Sequence, residues 1–358
     1  MTTKKLLLTF AFTAIALIAL NRLLVPKYMS KAHEGMLTAE YYQSEKNHDL
    51  LIIGDCEVHE NISPITLWEE YGITSYIRGG AQQLVWQSYY MLEDALRYET
   101  PKVVLFSVLA MKYGEPQKEE YNRLNIDGMH LSMSKLRAIS TSRMPEEEYL
   151  SYLFPLLRYH DRWRELSDED FKYYFRTQRV SHNGYMMRCD VKPVNGFPRA
   201  SRLPDYRFSD LSYEYLDKIT KLCADNGIRL VLLKAPSLYP HWYGEWDEQM
   251  TDYAEKHGLL YINCLDVLEE IGIDFLTDTY DAGLHLNVSG AEKTSLYLGA
   301  VLRENFHLPD NRNDPDIFKA WIPKIERYEE MKRAQYEEIE KYGEVRTFLI
   351  EKFSSNFF

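Results

Sequence analysis

Apolar residues run from Leu6 to Leu20 with only Thr9 and Thr13 between them. Lys4 and Lys5 precede the run, and Asn21, Arg22 and a short apolar stretch, Leu23 to Val25, follow it before Pro26. The main run is shorter than the ~20 residues that cross a bilayer and reaches that length only with the second stretch. No small-x-small cleavage signal follows directly, so the pattern predicts an uncleaved signal anchor over residues 1–27. With Lys4 and Lys5 on the cytoplasmic side, the polar remainder is exported and faces the extracytoplasmic space. Residues 28–48 are polar and predict a juxtamembrane linker or helix.

From residue 50 onward, short continuous apolar runs alternate with amphipathic ones. Strands are predicted at 50–53, 73–77, 103–109, 228–234 and 259–263, and helices at 62–71, 83–99, 211–226, 245–257 and 287–304. Ser63 followed by Pro64 marks one helix start, and Gly227 and Gly258 mark two helix ends. Runs that are apolar throughout, such as 103–109, belong to strands covered on both faces. The expected fold is therefore α/β, a doubly wound, flavodoxin-like and mostly parallel sheet with right-handed crossovers, spanning residues 49–308. The rhythm breaks at about 113–210, where charged and aromatic sequence with a helical patch at 146–166 reads as an insertion. Residues 309–358 form a charged helical tail, with helical spacing clearest at 314–342.

Composition changes this picture in three places. A net charge of -12 leaves no basic stripe to displace counterions from phosphates, which excludes a nucleic-acid surface. Tyrosine, at 28 residues, clusters at Tyr89-Tyr90, Tyr173-Tyr174 and Tyr239 to Tyr243, which suits either a partly wet core or stacking on sugars. The four cysteines, Cys56, Cys189, Cys223 and Cys264, have no CxxC or CxxH spacing, so no zinc site or redox motif is indicated. Cys223 falls on the apolar face of a predicted helix and Cys264 at the end of a predicted strand, and both read as core thiols.

In a doubly wound sheet, loops beyond the carboxyl ends of the strands converge on one crevice. Gly54-Asp55-Cys56 follows the first strand, Gly79-Gly80-Ala81-Gln82 the second, and Ser107 to Lys112 ends the third. Asp281 and His285 precede the last helix of the domain, on a loop able to reach the same edge. A thiol, an imidazole and a carboxylate are the parts of a nucleophile, base and orienter set, which directs attention to acyl transfer or ester cleavage.

On these residues the chain resembles the GDSL or SGNH hydrolase superfamily. More narrowly, it resembles the membrane-anchored branch that includes the D-alanyl transfer protein of teichoic acid assembly and the alginate O-acetylation proteins. The resemblance covers about 50–109 and 228–302, with Gly54-Asp55-Cys56 and the stretch from Asp281 to Gly290 as landmarks. It implies Cys56 in the place of the family's serine nucleophile and His285 as base. The backbone N–H groups of Cys56 and of Gly80 or Gly79 would then hold the oxyanion. It also implies a cell-envelope carbohydrate polymer as substrate, a membrane-bound O-acyltransferase as partner, and no metal or organic cofactor. Three departures stand out. Cysteine replaces serine. The acid lies four residues before the histidine at Asp281, or seven at Asp278, instead of three. No asparagine follows the third strand, which leaves Ser107, Gln82 or Gln83 as substitutes.

Plainer roles compete at each position. Cys56 also fits a buried structural thiol, and His285 a core or cap histidine. Asp55 suits a turn ligand that accepts backbone N–H groups. Glu57 and His59 lie just beyond Cys56, and His59 is a rival base or a solvated side chain. Arg158, His160, Arg162 and Trp163 share a helical stretch, with Arg158 and Arg162 on one face as either an anion-binding patch or an ion-paired surface. A catalytically silent scaffold that binds envelope polymer or a membrane partner is the alternative to an enzyme. A peptidase-like cysteine enzyme fits the side chains but not the strand-to-turn context.

Overall fold

A computed structural model describes residues 3–28 and 36–346. Five strands, β1 (Leu50–Gly54), β2 (Ser75–Gly79), β3 (Val103–Ser107), β4 (Arg229–Lys234) and β5 (Leu260–Asn263), form one parallel sheet in the order β2-β1-β3-β4-β5. Ile52 pairs with Ile77 on one side and Leu105 on the other, and Leu105 in turn pairs with Val231. This is the flavodoxin-like order, in which the chain reverses direction across the sheet between β1 and β3.

The continuous apolar runs are explained by burial on both faces. Leu51, Ile53, Val104, Phe106, Leu230 and Leu232 point to one core, and Leu50, Ile52, Val103, Leu105, Val231 and Leu233 to the other. Helices α2 (Cys56–Asn61), α3 (Pro64–Tyr71) and α4 (Val85–Ala95) follow the first two strands. In the insertion lie α5 (Glu119–Ile126), α6 (Met133–Ser142), α7 (Tyr149–Leu153), α8 (Leu156–Tyr159) and α9 (Asp168–Lys172), and the second half of the sheet is wrapped by α10 (Asp210–Asp225), α11 (Gly244–His257), α12 (Leu268–Ile271) and α13 (Val288–Phe306). Trp86 of α4, Leu216 of α10 and Met250 of α11 fill the first core, and Trp68 of α3 and Leu298 of α13 the second.

Several boundaries differ from the sequence expectation for identifiable reasons. The second strand starts two residues late because Ile73 N–H is spent on Leu67 O at 3.3 Å, closing α3 behind left-handed Gly72. The third apolar run leaves the sheet at Ser107, and Val108–Lys112 forms a buried 3-10 turn, a case in which apolar periodicity cannot separate strand from helix. The helical patch at 146–166 is broken by Pro155, which holds Phe154 out of the helical region.

The polar stretch expected as a linker over 28–48 is not free where it is described. Leu37–Gln43 forms a 3-10 helix whose Tyr41 is buried in the core and whose buried Glu40 accepts from Val180 N–H at 2.9 Å. Residues 29–35 of that stretch lie outside the described residues. The charged tail forms α14 (Pro315–Tyr342) and docks on the second core, with Trp321 stacked on Trp68 at 4.7 Å between ring centres. Residues 347–358 of the expected tail lie outside the described residues. At the other end, α1 (Thr3–Leu24) is long and apolar enough to cross a membrane.

Candidate active site

Beyond β1 the chain turns at Gly54, where φ is +150° and a Cβ would stand 2.5 Å from Ser107 Cβ on the neighbouring strand. Glycine is therefore required for β1 and β3 to meet at the point where the sheet order reverses. Asp55 caps α2 by accepting Glu57 N–H at 3.2 Å, the turn-ligand role expected of it. Cys56 follows as the first residue of the helix and is half-buried at the crevice.

Next to the thiol's turn lies a buried charge cluster. Lys234 Nζ donates to Glu57 Oε1 at 2.6 Å and to Ala235 O at 2.6 Å, and all three of Asp55, Glu57 and Lys234 are buried. Ser107 Oγ donates toward Asp55 Oδ1 at 3.3 Å and Glu57 Oε2 at 3.4 Å. Lys234 thus bonds only one of the two carboxylates, Glu57, while Lys112 and Lys234 act on Asp55 through their charge alone. Burial first, and then the charge of Glu57, push the Asp55 pKa up to about 7.

The loop before α13 arrives from the opposite end of the sequence. Asp278 clamps it by accepting from Lys293 Nζ at 2.7 Å, Ser289 Oγ at 2.8 Å and Asp274 N–H at 2.8 Å. Left-handed Ala282 and Gly283 then double the chain back, so that Asp281 faces His285 across the loop. Asp281 Oδ1 accepts the His285 N–H and Oδ2 meets His285 Nδ1, both at 2.7 Å. Of the two acids proposed from sequence, Asp281 holds the ring and Asp278 holds the loop.

The far end of α2 grips this loop from below. Asn61 Oδ1 accepts Leu286 N–H at 2.8 Å while Asn61 Nδ2 donates to Ser237 Oγ at 3.0 Å. His285 Nε2 is buried without a well-directed hydrogen-bond partner, and the His285 ring and the Cys56 thiol are close enough for each to alter the other's proton affinity. The two remote segments therefore meet at one rim.

A residue that sequence reasoning missed completes the set. Glu60 Oε2 lies 3.0 Å from His285 Nδ1 and accepts from the Tyr280 hydroxyl, while its other oxygen meets His59 Nε2 at 3.1 Å. The Tyr280 ring stacks on the imidazole at 6.0 Å between centres. His59, expected to be solvated, is buried. The available signal was spacing: Glu60 is four residues after Cys56, and on a helix that shares its face. Burial alone would lower the His285 pKa, but the charges of Glu60 and Asp281 outweigh it and hold the ring well above its ordinary value. Glu60 is burdened by burial too, yet the imidazole brings it down to about 2. Burial pushes the Cys56 thiol up, with His285 pulling against it. Glu60, Asp281 and His285 each bring one donor atom within 4.8 Å of the others, residue types that also ligate divalent cations.

The remaining predicted residues divide. Gly79 pairs with Gly54, and a Cβ on it would lie 2.6 Å from Val58 Cγ2, so it backs the nucleophile turn. A Cβ on Gly80 would lie 2.1 Å from Asn125 Oδ1, which brings an asparagine from α5 of the insertion against the second turn. Its Nδ2 donates to Ala81 O at 3.2 Å and Gln87 Oε1 at 3.3 Å. Gln82 has φ +49° and a buried, unpartnered Oε1. Gln83 Nε2 is spent on Arg78 O and Ser88 Oγ. Ser107 is fully buried with its hydroxyl on Asp55 and Glu57, so it is not free to donate to an oxyanion. Lys112, at the end of the third turn, lies within the electrostatic reach of Cys56 and Asp55.

Of the two roles open to Arg158 and Arg162, the ion-paired surface is the one found. Arg158 meets Glu119 at 3.1 Å and Arg162 meets Asp170 at 2.6 Å, with His160 beside Asp161 at 3.6 Å. The four residues do not share one helix, since His160–Arg164 is a 3-10 turn after α8.

No protein-family model matches the chain, and no curated protein matches it in sequence. Among solved structures it is similar to a protein from Desulfitobacterium hafniense described as lipolytic and of the G-D-S-L family, at 13% identity and TM-score 0.37 over 72% of this chain and 100% of that one. It is also similar to a protein from Bacteroides fragilis described as an acylhydrolase, at 9% identity and TM-score 0.36 over 75% of this chain and 93% of that one. A GDSL-like lipase from Bacteroides thetaiotaomicron matches at 9% identity and TM-score 0.35, over 75% of this chain and 98% of that one.

Proposed function

We propose that this is an SGNH-type acyl-ester hydrolase or O-acyltransferase, anchored in the cytoplasmic membrane by α1 with its catalytic domain extracytoplasmic. It would act through a cysteine nucleophile on acyl esters of a cell-envelope polysaccharide or teichoic-acid-like polymer. One observation carries the chemistry. Asp281 holds His285 through Nδ1 and leaves Nε2 without a partner, on a ring close enough to the half-buried Cys56 thiol for each group to alter the other's proton affinity.

In this mechanism the thiol proton passes to His285 Nε2, favoured by the two carboxylates that raise the ring's proton affinity. The thiolate attacks the acyl carbonyl, forming a C–S bond and moving the carbonyl π pair onto oxygen. The N–H groups of Cys56 and Gly80 stabilise that oxyanion. Collapse expels the alkoxide, which takes the proton from the imidazolium and leaves a thioester on Cys56. Water, or a hydroxyl of the acceptor polymer, then gives its proton to His285, attacks the thioester and regenerates the thiol. A membrane-bound O-acyltransferase is the partner that would deliver the acyl group.

The test is acyl transfer from an aryl acetate by wild type and Cys56→Ala, with intact mass measured during turnover. The expected result is an acetyl adduct on the wild type that is absent from the variant, together with loss of turnover. Undiminished turnover in Cys56→Ala would remove the nucleophile assignment.

A second reading, the silent scaffold, is favoured by the burial that pushes the Cys56 thiol upward. It predicts no acetyl adduct and no accelerated alkylation of Cys56 even at alkaline pH, where the enzyme reading requires both.

A further inference from the structure

The insertion touches α1 at a level that fixes where the domain stands. Tyr174 Oη donates to Ala19 O at 3.2 Å, Leu156 N–H to Asn21 Oδ1 at 2.8 Å, and Arg162 Nη1 to Leu24 O at 2.7 Å. Arg22 Nε donates to Tyr174 O at 2.6 Å. The grip therefore begins within the helix, more than a turn before its end.

That level matters because α1 has little length to spare. Its 22 residues rise about 33 Å, while the apolar run from Leu6 to Leu20 covers only about 22 Å against a hydrocarbon layer of about 30 Å. Whatever is bonded to Ala19 and Asn21 must then lie at the boundary of the bilayer, and a short apolar span draws its flanks inward.

The surface at that level is unlike an ordinary solvated one. Phe154, Leu157, Trp163 and Phe171 are each more than half exposed, and Phe175 is 83% exposed. They lie on or beside α8, α9 and the turn between them, the elements that pack on α1, and at the end of α7, which packs on α8. Guanidinium groups accompany the rings: Arg22 lies over Phe175 at 5.7 Å and Arg164 over Trp163 at 5.1 Å. Exposed aromatic rings beside arginine, continuous with a spanning helix, suit the headgroup boundary of a bilayer.

We propose that residues 150–176 are a membrane-seated face, buried in the interfacial layer of the bilayer that α1 crosses, so that the domain is held by a collar as well as by a tether. This rests on the reading of α1 as a membrane span. The occupant is lipid, because the contacts on Ala19 and Asn21 bring the face to bilayer depth before any partner is present.

The full chain is reconstituted into vesicles of phosphatidylcholine that carries bromine near the headgroup end of its acyl chains, or near the chain ends. The difference between wild-type and Trp163→Phe fluorescence isolates Trp163, since the other tryptophans are buried. That signal is expected to fall at least twofold with shallow bromine and much less with deep bromine. Phe175→Trp in the Trp163→Phe background is expected to behave likewise. Carbonate washing reports on α1 separately. Vesicle-retained protein with unquenched tryptophan at both positions overturns the collar, whether the face is solvated or reserved for a protein. Release by carbonate overturns the anchor and the collar with it.

Discussion

Glu60 Oε2 and His285 Nδ1 stand 3.0 Å apart, although 225 residues separate them, and the same nitrogen meets Asp281 Oδ2 at 2.7 Å. One imidazole is thus shared between an acid from its own loop and an acid from the nucleophile's helix. The charge of Glu60 raises the proton affinity of both His285 and Cys56.

This coupling has a direction. The reactive state of the pair carries one proton between sulfur and Nε2, so it forms when the doubly protonated pair loses one. Because both groups are shifted upward, the ascending limb of the pH–rate profile is expected on the alkaline side of neutrality. Glu60→Gln removes a charge that raises both, so the limb moves to lower pH. An unmoved limb in kcat/KM profiles of the two proteins would show that Glu60 does not tune the pair.

The two acids of the last loop are separable by mutation. Asp281→Asn keeps the shape but replaces the acceptor at Nδ1, and is expected to lower kcat by roughly 10²–10⁴-fold with little change in unfolding midpoint. Asp278→Asn breaks the clamp with Lys293, Ser289 and the Asp274 N–H and is expected to cost about 1–3 kcal/mol of stability. Its kcat per folded molecule should fall far less. Equal kinetic losses in both variants, measured beside urea unfolding, would contradict the division of roles.

How much of this was legible in the sequence follows from the range of each signal. The five apolar runs were visible because burial on both sheet faces needs no partner information, and the order of turns followed from parallel topology. Cys56, Asp281 and His285 were visible through residue type and spacing. Glu60 was not, because α2 is only six residues long and shows no periodicity of its own. Asn125 lies inside an insertion whose path no local pattern predicts, so its place over Gly80 appears only in three dimensions. Ser107 illustrates the opposite error. Its position at a strand end suggested an exposed hydroxyl, but the close approach at Gly54 buries it among carboxylates. Arg158 and Arg162 are ion-paired, one of the two roles their spacing allowed, but the 3-10 turn from His160 separates them, which a four-residue spacing alone does not reveal.

The buried turn under the thiol gives a stability signature with a definite sign. Asp55 titrates near 3.8 when solvated and is pushed up to about 7 in the fold by burial and by Glu57. Between those values the folded state binds more protons than the unfolded one, so this contribution is fully present below about pH 4 and is lost as pH rises through about 7. Asn at the same position keeps an acceptor for the Glu57 N–H and cannot ionise. Asp55→Asn is therefore expected to match wild type near pH 4 and to exceed it by roughly 2–4 kcal/mol at pH 8. Urea unfolding at both pH values checks this. Titrating groups outside the cluster cancel in the difference between the two proteins, so a gap that does not widen with pH would mean that Asp55 stays ionised in the fold, neutralised by Lys234 across the cluster. In that case the ammonium serves both carboxylates at once, and Lys234→Met should be the more damaging change at high pH.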